Sequence, residues 1–305
     1  VMMTAWTRGS ADWLRMIDRT SDGPALVQAL TLLGHLGGER GRDQMRRKLA
    51  RAPDEPAARL SLLTALVDGF GDLTHAPDLS RFAGRPKTDP LHRVWALGLL
   101  VRCSPASALP GLRSIVSDAR AAPTVRLHAL QSLVDAGDRS RRTMARQMAN
   151  KAGWSAGSRL EALAQLARID TGAREQLRRR ASRGPGSLTE RLRAARHLCR
   201  MGDRDAVPYL LRVVERDGDT VQSQLHALHS LALVRQRVHV QSLRRVAKMS
   251  GKARDTASRI LVMMGDRTLA PALLARGSAG DLEAARALVL AHVLESLGLD
   301  AAQLV

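Results

Sequence analysis

Met201-Gly202-Asp203-Arg204-Asp205-Ala206-Val207-Pro208 holds a helix, turn, helix plan in eight residues. One helix runs into Met201, Gly202 interrupts it, Asp203 has the short polar side chain that caps a following helix, and Val207-Pro208 opens that helix. Upstream, Ser187-Leu188-Thr189-Glu190 is a capping box that starts the first helix. Downstream, Val207, Leu210, Leu211 and Val214 form the apolar stripe of the second, leaving Arg212, Glu215 and Arg216 outward.

The plan recurs. An apolar residue followed by one or two arginines appears eight times at intervals of 31 to 34 residues. The copies are Met45-Arg46-Arg47, Leu79-Ser80-Arg81, Leu112-Arg113, Met144-Ala145-Arg146, Leu177-Arg178-Arg179, Leu211-Arg212, Leu243-Arg244-Arg245 and Leu274-Ala275-Arg276. Each is preceded by 14 to 17 residues by an alanine in a helical pattern: Ala29, Ala65, Ala96, Ala129, Ala162, Ala194, Ala227 and Ala257, with Ala287 opening a possible ninth unit. A small residue there lets two helices approach closely. Between the columns lies a turn, often with aspartate: Asp72, Asp138, Asp170, Asp203 and Asp266. Asp89-Pro90 and a second capping box, Ser158-Arg159-Leu160-Glu161, mark further helix starts. No alternating or β-branched run reads as a strand. A fixed period of this length predicts an all-α solenoid of about eight to nine two-helix repeats. Residues 25–281 form the array, 1–24 an N-terminal capping segment and 282–305 a C-terminal helix or partial repeat.

This pattern, a helix ending near Gly-Asp and a second carrying Ala/Val-x-x-Leu-Leu, resembles the HEAT-like repeats of the phycobilisome-lyase type. The resemblance covers about residues 25 to 280, is strongest from Arg191 to Val214, and is weakest over residues 58 to 87, where Phe70 and Phe82 appear. It implies a right-handed α-solenoid whose second helices line the concave side. Most members of that superfamily, found in bacteria, are binding scaffolds, and a fold alone does not assign a function.

Composition narrows the partners. The 305 residues carry 48 Lys+Arg against 29 Asp+Glu, a formal charge of +19, and such a surface attracts polyanions. Only five of the 48 are Lys, which fits a GC-rich genome, but codon bias does not explain why cations outnumber anions. Aromatic residues are 2% of the chain, so an aromatic-lined pocket is not expected. Cys103 and Cys199 lie about three repeats apart, roughly 30 Å at about 10 Å per layer of helices, too far for a disulfide. Two free thiols suit a reducing compartment, and no signal-peptide pattern or 18-residue apolar run is present, so the expected location is the cytoplasm. The chain begins at Val1, and both ends are apolar. This reads as a piece of a longer protein, such as the recognition module of a larger bacterial one, or as ends that meet a partner.

The arginine columns, Arg46, Arg47, Arg81, Arg113, Arg146, Arg178, Arg179, Arg212, Arg244, Arg245 and Arg276, are the candidate partner-binding residues. Two readings compete. HEAT-like repeats commonly bond a turn aspartate to a basic residue of the second helix of a neighbouring repeat, which stitches the stack together. That covers one arginine per repeat and leaves the second, as in Arg46-Arg47, Arg178-Arg179-Arg180 and Arg244-Arg245, for a solvated face or an anion-binding groove. Guanidinium groups bond carboxylate and phosphate in bidentate fashion. The leading expectation is a non-enzymatic scaffold for an acidic protein or peptide. The alternative is sequence-independent binding to the phosphate backbone of nucleic acid, which would be steeply salt-dependent.

Enzymatic readings rest on less. Gly153-Trp154-Ser155-Ala156-Gly157 matches a nucleophile elbow, but that motif needs a preceding strand and here follows a helix. His128 and His226 share a repeat position that other repeats fill with Glu161 and Arg193, and no zinc-type cluster or phosphate-binding glycine loop exists, so neither metal nor cofactor is expected. A HEAT-like DNA glycosylase would need a tryptophan and a carboxylate in one pocket. Trp6, Trp13, Trp95 and Trp154 are scattered, and chromophore-lyase activity is supported only by the repeat.

Overall fold

The interrupting turn repeats one hydrogen-bond signature at four of its described copies. In the computed structural model, which describes residues 38–266 apart from 52–55, 184–185, 216–219, 235, 237–238, 249–251 and 265, the amides of Asp138, Asp203, Gln236 and Asp266 donate to the carbonyls of Leu133, Leu198, Leu231 and Leu261. Gly137 and Gly202 stand just before the aspartates with φ of +69° and +73°. That left-handed conformation ends a helix, and glycine adopts it without a Cβ clash.

Fourteen helices follow in order among the described residues. They are α1 (Gly38–Arg51), α2 (Pro56–Thr64, prolonged by a π-helical turn, Ala65–Gly69), α3 (Ala76–Gly84), α4 (Pro90–Cys103), α5 (Pro105–Ser117), α6 (Pro123–Asp135) and α7 (Arg141–Ala149). The rest are α8 (Ala156–Ala167), α9 (Thr171–Ser182), α10 (Leu188–Arg200), α11 (Val207–Glu215), α12 (Val221–Leu233), α13 (Val240–Val246) and α14 (Lys252–Met263). No strand occurs among the described residues. Even-numbered helices are the first members of the expected pairs and odd-numbered ones the second. The expected terminal segments, together with Ala29, Ala287 and the copy at Leu274-Ala275-Arg276, lie outside the described residues.

Sequence signals set most helix starts. Asp89 accepts the amides of Leu91 and His92 at 2.9 and 3.2 Å, with Pro90 as the first helical residue. Ser187 and Glu190 complete the reciprocal capping box of α10. One expectation shifts: α8 is capped by Ser155, whose Oγ accepts the Ser158 amide at 3.1 Å, not by Ser158. The backbone turns earlier because Gly153, at φ +82°, reverses the chain just ahead of Ser155.

Packing follows the two columns. Ala65, Ala96, Ala129, Ala162, Ala194, Ala227 and Ala257 are all 0% exposed. Each described first helix packs on the first helix of the next pair, from α2 through α14, and the methyl side chains permit that approach. The second helices pack chiefly on the first helices beside them. Their anchors Met45, Leu79, Leu112, Leu177 and Leu243 are buried. In α7 the buried anchor is Ala145, one residue after the expected Met144, and in α11 it is Leu210, one residue before the expected Leu211; Met144 and Leu211 are only partly covered.

Candidate anion-binding surface

Asp72, Asp138, Asp170 and Asp203 each use their two oxygens differently, whereas Asp266 accepts from Arg244 on both. In those four, one oxygen caps: Asp138 Oδ1 accepts the Ser140 amide at 2.9 Å, Asp170 Oδ1 the Ala173 amide at 2.9 Å, and Asp203 Oδ1 the Asp205 amide at 3.0 Å. The other receives an arginine from the preceding second helix. Arg46 Nε donates to Asp72 Oδ2 at 2.7 Å, Arg113 Nε to Asp138 Oδ2 at 3.2 Å, Arg178 Nε to Asp203 Oδ2 at 2.9 Å and Arg244 Nε to Asp266 Oδ2 at 2.7 Å. Arg146, with Arg142 beside it, approaches Asp170 Oδ2 more loosely at 3.4 Å.

The electrostatics follow from this geometry. Burial pushes the Asp72 carboxyl up, but hydrogen bonds from Arg46 and Thr74 outweigh it and hold the group at about 2. For Asp138 the Arg113 hydrogen bond dominates, opposed by burial and aided by Ser140, and the carboxyl again falls to about 2. Asp170 is lowered chiefly by the Ala173 amide.

The candidate arginines therefore fall into two groups. A bonding arginine stands eight residues beyond its own turn residue, as Arg178 does from Asp170 and Arg244 from Gln236. The corresponding residues in α3 and α11 are Ser80 and Leu211, and the turns that follow them carry Ser104-Pro105 and Gln236 where the others carry aspartate. Arginine and aspartate are missing together at both junctions, which spares the fold a buried carboxylate without a counter-charge.

Arg81 and Arg212 belong instead to the next column, with Arg47, Arg179 and Arg245. Ser114 and Gln147 fill it in the remaining two helices, and all seven residues are exposed. No carboxylate stands in the column. Arg81 makes a loose pair with Asp78 at 3.4 Å and Arg179 with Glu175 at 3.3 Å, whereas Arg47, Arg212 and Arg245 make no ion pair among the described residues. Arg276 lies outside the described residues.

Two further ladders join successive first helices. Arg102 pairs with Asp68, and Arg168 pairs with Asp135 at 2.6 Å, each across one repeat. His197 meets Glu161 at 3.0 Å between α8 and α10. The charge complementarity at the repeat period, Asp68 with Arg102 and Asp135 with Arg168, was the available signal for the first of these.

The other candidate chemistry dissolves into structure. Ser155 of the elbow-like motif is a helix cap, and Trp154 is buried beneath Arg126, whose guanidinium lies 5.3 Å from the ring centroid. Trp95 packs partly against the core; Trp6 and Trp13 lie outside the described residues. Neither Trp95 nor Trp154 shares a described pocket with a carboxylate. Among the described residues no three His, Cys, Asp or Glu side chains converge, and no helix is long and apolar enough to cross a membrane. Cys103 and Cys199 are both free. The sequence matches no known family model, and no curated protein is significantly similar to it.

Proposed function

We propose that the chain is a HEAT-like α-solenoid acting as a non-enzymatic scaffold, with Arg47, Arg81, Arg179, Arg212 and Arg245 receiving an acidic protein or peptide. The observation that carries this reading is that these five exposed arginines form a column separate from the ones that bond the stack. Arg46, Arg113, Arg146, Arg178 and Arg244 are set aside because aspartates already neutralise them. At about 10 Å per repeat the column extends over about 60 Å. A single exposed ion pair contributes under about 1 kcal/mol, so useful affinity requires several at once, and an extended acidic segment supplies them. Two free thiols accord with a cytoplasmic setting.

The test is fluorescence anisotropy with labelled polyglutamate and with labelled duplex DNA at about 50 and 200 mM salt. The acidic-partner reading expects polyglutamate to bind at the lower salt and a combined R47E, R179E, R245E variant to lose it. Tighter binding of DNA, with a log–log salt slope of about −4 or steeper from five phosphate contacts, would replace the reading by nucleic-acid binding. Binding of polyglutamate that survives the charge reversal would show that the column is not the site.

A further inference from the structure

One cavity among the described residues brings three half-buried arginines together. It has a volume of about 230 Å³ and is lined by Ala156, Arg159 and Leu160 of α8, Arg180 at the end of α9, and Glu190 and Arg191 in the first turn of α10. The setting differs from that of the exposed column. Arg159, Arg180 and Arg191 are each only partly exposed, and they face one another around a cleft with a single carboxylate.

Their donors are incompletely used. Arg159 spends one N–H on the Trp154 carbonyl at 2.8 Å. Arg180 and Arg191 form no ion pair among the described residues, and the Nε of Arg191 is buried without a hydrogen-bond partner. A buried donor left unmet is costly, and three guanidinium groups around one cleft repel each other unless an anion joins them. Glu190 offsets only one of the three, and its Oε2 is already engaged by the Ser187 amide at 3.2 Å. The first turns of α8 and α10 also line the cleft and add the partial positive charge of helix N-termini.

We infer that this cavity is a binding site for a phosphate monoester, held by Arg159, Arg180 and Arg191. Three guanidinium charges and one carboxylate leave a surplus of two, which a dianionic phosphate group balances. Its volume falls below the roughly 300 to 1,000 Å³ of pockets that enclose drug-sized molecules, so the phosphate group enters while the rest of the ligand stays outside. The site is independent of the exposed arginine column, whose Arg179 is turned toward Glu175.

Isothermal titration at fixed ionic strength, with inorganic phosphate and with a phosphoserine peptide, tests the assignment. Phosphate is expected to saturate one site, and R180A/R191A to weaken it at least 10-fold while the helical circular dichroism is retained. Glu190→Gln keeps the capping box, since glutamine also serves there, and is expected to tighten phosphate binding severalfold by removing the one opposing charge. R47E/R245E should leave it unchanged. Binding of free phosphate assigns the site to small phosphate esters, whereas binding of the peptide alone assigns it to a phosphorylated side chain. If neither phosphate nor the peptide binds better than chloride, or if the ligand that binds does so equally well to R180A/R191A, the inference is overturned; if that variant does not fold, an unchanged affinity in Glu190→Gln does so.

Discussion

Replacing Arg113 by alanine should cost about 1 kcal/mol, because it removes a partly solvent-screened charged hydrogen bond and leaves the Asp138 carboxylate, 2% exposed, without its counter-ion. D138N isolates the same bond from the cap, since asparagine still accepts the Ser140 amide but no longer carries charge. The pH dependence gives an independent measure. The Asp138 carboxyl lies at about 2 in the folded chain against an ordinary 3.8. A lowered folded value means the stabilisation is complete above about pH 4 and disappears as pH falls toward 2. The full shift corresponds to about 2.4 kcal/mol at 1.36 kcal/mol per unit. The Arg113 guanidinium is 46% exposed, so solvent screening leaves about 1 kcal/mol. Urea unfolding of wild type, R113A, D138N and the double variant, at pH 6 and pH 3, measures both quantities. The expected coupling energy is about 1 kcal/mol at pH 6 and smaller at pH 3. A coupling below about 0.3 kcal/mol at pH 6 would mean that the arginine and aspartate are neighbours without being a bond that holds the stack.

The two unbonded junctions predict a rescue: Leu211→Arg alone should be neutral or destabilising, while L211R with Gln236→Asp should recover about 1 kcal/mol of coupling in the same unfolding assay. Ala162→Leu places a larger side chain at a position that is 0% exposed between first helices, and should lower stability by about 1 to 3 kcal/mol. Burial pushes the Cys199 thiol up to about 12. Alkylation at pH 8 should therefore leave Cys199 unmodified in the folded chain and modify it in guanidinium chloride, as mass spectrometry would read directly.

The period, the buried alanines and the capping turns were legible in the residues, because each depends on local chemistry repeated at a fixed interval. The division of the arginines was less so. At Leu210-Leu211-Arg212 two apolar residues precede the arginine, and local pattern does not say which is the anchor. Its partner lies about 25 residues downstream, so only the absence of an aspartate at Gln236 separates Arg212 from Arg178. Arg81 is decided by Ser104-Pro105 in the same way. The phosphate cleft had no local signature at all, since Arg159, Arg180 and Arg191 come from three helices and only the stacking of α8 to α10 assembles them.

The paired absences at Ser80 with Ser104-Pro105 and at Leu211 with Gln236 have a mechanical consequence. A load transmitted along the array meets the arginine–aspartate brace between second helix and turn at the other described joints and lacks it at these two, where the Arg102–Asp68 pair and the Gln224 side chain on the Val214 carbonyl are the polar links that remain. The joints near α4 and near α12 are thereby the two expected articulations of the described array. A partner that engages arginines on both sides of an articulation, such as Arg179 and Arg245, would splint it, so that stiffness along the array would rise on binding without any helix being made or lost.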